Sequence, residues 1–234
     1  MSFLSVITTL IGIGLASCFK KSNKGIAIGI GFSAGIMLVI SFFELLPEAV
    51  KAGSFVSASI GLILGVVLIF LLNLIIPHIH YTKEKSILPW QVKAAYLVGL
   101  GLVIHDFPEG FAMASSYINA PALGIFVAVS IAIHNIPEEF AMAVPLIATK
   151  RRKALINLAI LSVLSEPLGA VFGLFTYVIA PILNPFFMAF AAGAMIFVSV
   201  HELYPMAREY KKLSYFVSGI GFSLLVYLAL SLIF

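Results

Sequence analysis

The sequence has 234 residues, of which 62% are hydrophobic and 10% charged, and its mean hydropathy is +1.13. Soluble domains have roughly 25% charged residues, so this composition predicts an integral membrane protein. The net charge of +4 does not indicate nucleic-acid binding, because the basic residues are scattered over short loops. The single cysteine, Cys18, excludes an internal disulfide and a cysteine-based zinc cluster.

Stretches of about 20 apolar residues, the length that crosses a bilayer as a helix, recur through the chain. They predict one all-α domain over residues 1–234, a multi-pass membrane protein with eight transmembrane helices. The first stretch has no basic residue before it and no cleavage pattern, so we expect a retained helix rather than a signal peptide. The predicted spans are residues 3–19, 26–48, 55–76, 92–117, 121–148, 154–180, 183–207 and 214–234.

The basic residues between these spans predict the orientation of the chain. Thirteen of the 14 Lys and Arg residues fall in the first, third, fifth and seventh connections. Positively charged loops stay on the cytoplasmic side of a cell membrane. These four connections are therefore predicted to be cytoplasmic, and both termini to be outside.

Part of the sequence repeats at a constant offset of 158 residues. Residues 34–49 match residues 192–207 in an Ala-Gly-x-Met segment and in a later Glu-Leu-x-Pro segment. On the predicted topology the two copies run in opposite directions. We therefore predict an inverted repeat of helices one to three and six to eight around a central antiparallel pair, helices four and five. This arrangement is typical of transporters with a substrate site at the midplane.

The fourth and fifth predicted spans carry related motifs, in which a proline precedes the last residue. In a helix, residues four apart share one face about 5–6 Å apart, so the His and the Glu of each motif form a possible pair of metal ligands. A single membrane histidine is more often structural, but two such pairs favour ligands. Each proline also predicts a bend and an unbonded carbonyl, at Ile104 and Ile133. The motifs are His105-Asp106-Phe107-Pro108-Glu109 and His134-Asn135-Ile136-Pro137-Glu138.

Five acidic residues fall deep inside predicted spans, where each costs about 2.5–3.5 kcal/mol on insertion scales. Every Lys and Arg is assigned to a connection, so protons or a bound cation must neutralise these acids. Glu166 alone could be a buried hydrogen-bond partner. The role of Glu139 stays open, because it faces about 100° away from Glu138. The five acids are Asp106, Glu109, Glu138, Glu139 and Glu166.

Three polar residues near the ends of the repeated helices are candidates for the mouths of a pathway. Glu44 is near the outer end of the second span, and His201 and Glu202 are near the inner end of the seventh. Singly they could be ordinary interfacial residues, but their repeat-related positions favour an entrance and an exit. His78 and His80 lie in a predicted cytoplasmic loop, either as a weak metal trap or as ordinary exposed histidines.

Two imidazoles with several carboxylates and an amide form a site without thiolate. This donor set suits Zn²⁺, Fe²⁺, Mn²⁺ or Co²⁺ and argues against Cu⁺ or an all-oxygen Ca²⁺ site. The acid or amide after each His leaves room for two adjacent ions. Zinc is the first expectation, followed by iron and manganese. Met37 could add a soft ligand, although a Met in an apolar helix usually packs.

The two motifs, the first continued by Gly110, resemble the signature of the ZIP (Zrt/Irt-like) family of divalent metal transporters. Residues 44–49, Glu-Leu-Leu-Pro-Glu-Ala, resemble its bacterial-type branch, and the resemblance covers essentially the whole chain. It implies an elevator-like movement of helices one, four, five and six against the rest, and a homodimer. Asp106 stands where the family usually has Asn, and Glu139 where it usually has Gly, and both add negative charge.

The resemblance also implies two neighbouring sets of metal ligands. Glu109 would bridge them. One set is His105, Glu109, His134 and Glu138, and the other is Asp106, Asn135, Glu138 and Glu166.

These features predict an inward transporter of divalent metals, with Zn²⁺, Fe²⁺, Mn²⁺ or Cd²⁺ as the transported substrate and no resident cofactor. No P-loop is present, so the metal gradient, the membrane potential or a coupled ion must drive it. The alternatives are an intramembrane zinc hydrolase and a carrier of protons or organic solutes. The first lacks a His-Glu-x-x-His motif, and the second leaves the two His/Glu pairs unexplained.

Overall fold

The computed structural model describes the backbone at residues 3–18, 23–75 and 90–232. Within these ranges every regular element is helical, which confirms the all-α class. His78, His80 and the side chains of His105, Glu202 and several other residues lie outside the described part. The helices are α1 (Phe3–Cys18), α2 (Asn23–Ile40), α3 (Leu46–Ala52), α4 (Phe55–Ile75), α5 (Trp90–Asn119), α6 (Pro121–Ala148), α7 (Arg152–Ile179), α8 (Asn184–Val198), α9 (Tyr204–Glu209) and α10 (Leu213–Ser231).

Several helical segments are long and apolar enough to cross a membrane, as an integral membrane protein requires. Two shorter apolar helices, Leu4–Cys18 and Phe55–Leu71, accompany them. Helices thus lie where the sequence predicts spans, while the number of spans stays a prediction. Among the described residues the five candidate spans are Asn23–Ala52, Pro121–Val144, Arg152–Ile179, Pro181–His201 and Leu213–Ser231.

Burial separates the central helices from the peripheral ones. In the most apolar window of Asn23–Ala52, 72% of the residues are buried inside the protein, against 33% for α7 and 17% for α10. The outer faces of α7 and α10 are rich in exposed Leu, Val and Phe side chains. A lipid bilayer would solvate such faces, since its core is as apolar as these side chains.

Two π-helical turns interrupt the long helices. Ser41–Leu45 joins α2 to α3, and Ser199–Leu203 joins α8 to α9. Pro47 and Pro205 follow these turns and cannot supply the helical N–H for the carbonyl four residues back. A π turn inserts one extra residue and lets the helix continue past such a site. The two turns are 158 residues apart.

The helices pack in pairs through small residues, α2 beside α10, α4 beside α8, α5 beside α7 and α1 beside α6. An added Cβ at Gly35 would lie 3.1 Å from Cα of Ile220, and one at Gly193 would lie 2.2 Å from the carbonyl oxygen of Leu62. Glycine therefore permits the close backbone approach that membrane helices use. α5 and α6 also contact each other, so the two motifs meet at the centre of the bundle.

Candidate metal site

The centre of the candidate site is a contact between α5 and α6. Nε2 of His134 lies 2.9 Å from Oε1 of Glu109, and both side chains are fully buried. The other oxygen of Glu109, Oε2, has no hydrogen-bond partner among the described residues. A buried carboxylate oxygen without a partner is energetically costly. A cation beside it would remove that cost.

The backbone of α6 fixes which nitrogen of His134 faces Glu109. Nδ1 lies 3.0 Å from the carbonyl oxygen of Ser130, one turn earlier. A carbonyl only accepts hydrogen bonds, so Nδ1 carries a hydrogen. In the neutral imidazole this leaves the lone pair on Nε2. Backbone carbonyls orient histidine ligands in metal sites in the same way.

A second polar contact links α6 to α7. Nδ2 of Asn135 donates to Oε2 of Glu166 at 3.2 Å, and Oδ1 of Asn135 has no partner among the described residues. The charges of Glu109 and Glu138 both act on the His134 ring, and Glu109 also acts on Glu166. These side chains therefore form one electrostatic cluster.

Ser162 on α7 joins two acids that the sequence did not connect. Its Oγ lies 2.7 Å from Oδ2 of Asp106 and 2.6 Å from Oε1 of Glu139. The same Glu139 oxygen accepts a hydrogen bond from Oγ1 of Thr9, in α1, at 3.0 Å. Because a hydroxyl has a single hydrogen, Ser162 cannot donate a full hydrogen bond to both acids at once. Glu139 thus belongs to the same buried centre and connects α6 to α1 and α7.

Glycines bring α5 and α7 together beside this cluster. A Cβ at Gly110 would lie 1.8 Å from the carbonyl oxygen of Glu166, and one at Gly169 would lie 2.0 Å from that of Phe107. No side chain fits in either space. The glycine that follows Glu109 in the sequence therefore allows Glu166 to lie alongside it.

α2 supports the opposite side of the site. Gly29 packs against Pro137, and Oγ of Ser33 donates to the carbonyl oxygen of His134 at 3.0 Å. α5 and α6 each continue as one helix through the prolines of their motifs. The predicted bends and unbonded carbonyls stay predictions.

The structure brings most of the predicted site residues together in the interior. As they stand, no three His, Cys, Asp or Glu side chains of the described part converge closely enough to hold a metal ion. Glu109 is instead bonded to His134, and Glu166 to Asn135. The side chain of His105, a predicted ligand, is outside the described part. Each of the following predicted site residues is exposed by 7% or less: Asp106, Glu109, His134, Asn135, Glu138, Glu139 and Glu166.

The other predicted residues lie elsewhere. Glu44 accepts a hydrogen bond from the Tyr227 hydroxyl at 2.6 Å. His201 is exposed and stacks on Phe197 at 4.4 Å between ring centroids. Met37 is fully buried in the apolar core, where Oγ of Ser199 lies 3.7 Å from its sulfur.

The sequence did not identify the hydroxyl groups that hold the acids in place. Ser130 and Ser162 each precede a site residue by one helical turn, His134 and Glu166 respectively. Thr9 lies in a helix that contains no charged residue. Hydroxyl residues within apolar helices, one turn from a buried acid or histidine, are the signal that could have identified them.

Comparison with known proteins adds evidence independent of the geometry. Residues 78–230 match the family model described as ZIP zinc transporter. The chain is 35% identical to zinc transporter ZupT of Chlorobium luteolum, over 100% of this chain and 96% of the relative. It is 40% identical to ZupT of Corynebacterium aurimucosum (88% and 85% covered) and 38% identical to ZupT of Shigella flexneri (89% and 86%). The chain therefore belongs to the ZIP family of zinc transporters.

Proposed function

We propose that this chain carries divalent transition-metal ions, zinc first, across the membrane and binds them between α5, α6 and α7. The observation that carries this proposal is the buried centre around His134 and Glu109. It contains five acids, while no described Lys or Arg is buried. A divalent cation would neutralise this charge. The relatives named zinc transporters support zinc as the first substrate.

The donor atoms suggest how an ion would be held. Nε2 of His134 and the carboxylate of Glu109 face each other, and an ion between them would take the place of the proton of their hydrogen bond. The oxygens of Asn135, Glu166 and Asp106 would form the neighbouring set, with Glu109 between the two. His105 and Glu138 complete the proposed ligands.

The proposal includes eight spans arranged as an inverted repeat in a cell membrane, with both termini outside. The π turns and the glycine contacts support the repeat, because in each case the numbering differs by 158 residues. The close packing of α4 on the candidate span α8 supports a membrane-spanning α4. Ser17 and Lys150 line the same cavity, and Lys24 lies over the ring of Tyr215, which supports placing the basic loops at one end.

An elevator movement would carry α1, α5, α6 and α7 past α2, α4, α8 and α10. Few of the described hydrogen bonds join the two groups of helices, so few would have to break during this movement. Nδ2 of Asn119 donates to Glu48 at 2.7 Å, Nδ2 of Asn184 donates to the Ser115 carbonyl at 3.1 Å, and Ser33 contacts α6. Each such bond contributes about 0.5–1.5 kcal/mol, which is compatible with repeated sliding.

The ion would enter near Glu44 and leave near His201 and Glu202. The metal gradient or the membrane potential, worth about 2.3 kcal/mol per charge per 100 mV, would drive it inward. The proposal includes a homodimer, which the resemblance to the family implies. Membership in a transporter family favours transport over the hydrolase alternative.

Zinc uptake into proteoliposomes tests the transport proposal. The native chain should accumulate zinc, while His134→Ala and Glu109→Gln should lose uptake and zinc binding together. Lys211→Gln, an exposed substitution far from the cluster, is the control. Competition by Fe²⁺, Mn²⁺ and Cd²⁺ would rank the substrates. Zinc that binds tightly but never enters the vesicles would refute transport.

A cross-link tests the sliding movement separately. A Cys18→Ser chain with Glu48→Cys and Asn119→Cys places two thiols across the proposed interface. Closing them with a short bis-maleimide should stop uptake, while modification by a monofunctional maleimide should not. Native uptake by the fully cross-linked chain would exclude this relative movement and leave the metal site untouched.

A further inference from the structure

A cavity of about 710 Å³ opens where α1, α6 and α7 meet. It lies past the end of the candidate span Pro121–Val144 and at the start of the span Arg152–Ile179. Its position is therefore near a membrane surface rather than at the level of the metal site. Its lining is apolar apart from one hydroxyl and two cations: Ile13, Ser17, Leu146, Ile147, Lys150, Arg152, Leu155 and Ile156.

The positive charge at this cavity is not offset by any acidic side chain in the described part of the chain. Residues 150–153 are four consecutive exposed cations, and none of them forms an ion pair with an acidic side chain that the structure describes. Arg152 and Lys153 also begin the 28-residue helix α7, whose N-cap residue Arg151 makes no side-chain cap. The first N–H groups of a helix lack helical partners, and its N-terminus is electropositive. The positive charges of these side chains and the positive potential of the helix N-terminus therefore reinforce each other.

The turn between the two helices directs both cations to the same place. Lys150 has a left-handed backbone with φ 58°. Its N–H bonds to the Ile147 carbonyl, and the Arg151 N–H bonds to the Leu146 carbonyl at 2.8 Å. Such an ending satisfies the last carbonyls of α6. α7 then starts immediately, so Lys150 and Arg152 line one cavity.

We propose that this cavity binds one anionic phospholipid, with its phosphate between Lys150 and Arg152 at the start of α7. The upper part of an acyl chain would lie against Ile13, Leu155 and Ile156. A basic loop alone is expected on the cytoplasmic side of any membrane protein. Here the cations line an apolar cavity between helices, the kind of site that holds acidic lipid headgroups. In the other described basic loop, Arg208 instead lies over the Tyr204 ring at 6.0 Å.

Lipid titration of the purified full-length chain in a nonionic detergent, read by native mass spectrometry, tests this site. The native chain should bind phosphatidylglycerol more tightly than phosphatidylcholine. Lys150→Gln with Arg152→Gln should weaken phosphatidylglycerol binding about 25-fold, at about fivefold per lost cation. Arg208→Gln with Lys211→Gln is a matched control, because Lys211 also has a left-handed backbone, with φ 52°. That control should keep the native preference.

A third variant tests the apolar contact with the acyl chain separately from the charge of the headgroup. Ile156→Gln changes a wall residue that is 57% exposed, so folding should be unaffected, and it should weaken binding of both lipids without changing their ratio. Equal binding of the two lipids, an equal loss in both charge variants, or displacement of the lipid by millimolar inorganic phosphate would each overturn the proposal. Lipid binding does not require transport, so these outcomes are independent of the metal proposal.

Discussion

Gly110→Ala is the sharpest test of how this fold builds its site. The substitution adds a single methyl group next to Glu109, where it would lie 1.8 Å from the carbonyl oxygen of Glu166. Real Cβ contacts stay above 3.0 Å, so the backbones of α5 and α7 must separate locally by about 1.2 Å. The atom in the way is a backbone oxygen, so no side chain can rotate to relieve the clash.

The expected effect is large because metal ligation tolerates little displacement. Ligand distances vary by about 0.2 Å around their ideal values, so a 1.2 Å shift removes Glu166 from any ion that Glu109 also binds. A displacement of about this size lowers activity about 100-fold in sites that depend on exact placement. We therefore expect zinc affinity to fall about 100-fold. Overpacking should also lower the free energy of unfolding by about 1–3 kcal/mol.

Two control variants separate lost stability from lost ligation. Gly65→Ala places its Cβ 2.0 Å from the carbonyl oxygen of Phe190, a comparable clash between α4 and α8. It should reduce stability similarly and keep zinc affinity. Gly14→Ala has nothing within 4 Å and should be neutral. Zinc binding by calorimetry and thermal unfolding, both in detergent, provide the readouts. Zinc affinity in Gly110→Ala equal to that in Gly65→Ala would refute the placement of Glu166 as a ligand.

The remaining predictions concern groups around the site. Ser162→Ala removes a hydroxyl that contacts two buried acids, and it should lower the free energy of unfolding, measured by denaturant titration, by about 1.5–3 kcal/mol. The control is Ser231→Ala, which removes a hydroxyl that bonds only to its own helix and should leave the free energy of unfolding unchanged. Glu44→Gln should raise KM for zinc uptake several-fold with kcat near native, because a carboxylate at a pathway mouth concentrates cations. An equal loss of kcat, or an effect independent of ionic strength, would place Glu44 outside the entrance.

The architecture was largely predictable because the apolar pattern determines where helices form in a membrane protein. The predicted spans at 121–148 and 55–76 coincide with α6 and α4 to within one residue. The repeat at offset 158 marks both π turns, since Pro47 and Pro205 belong to the repeated segment. The sequence could not show that these segments become π turns, because that depends on hydrogen bonds past each proline rather than on residue type.

The acids of the site were predictable, but their partners were not. An acidic residue deep in an apolar helix has a high free-energy cost of insertion, so its presence in the sequence indicates a functional role. A serine there costs little, so the only signal of Ser162 and Ser130 in a single sequence is their position one helical turn before a buried residue. The spacing places Glu138 on the same face of the helix as His134, but it does not show that Nε2 of His134 contacts Glu109, a member of the same expected ligand set, on the neighbouring helix. Helical spacing identifies which residues share a face, and packing between helices decides which of them touch.

The position of Glu139 shows how the two motifs differ in structure. It occupies the place in the second motif that Gly110 occupies in the first. Gly110 lets α7 approach and supplies room for Glu166, whereas Glu139 faces α1, where Gly12 would clash with it at 2.7 Å if it had a Cβ. α1 contributes Thr9 rather than an acid to this contact. Both acids also link the motifs to α7, since Glu166 accepts a hydrogen bond from Asn135 of the second motif and Ser162 joins Glu139 to Asp106 of the first. Glu139 therefore brings a carboxyl group to the side of the site where α1 has none.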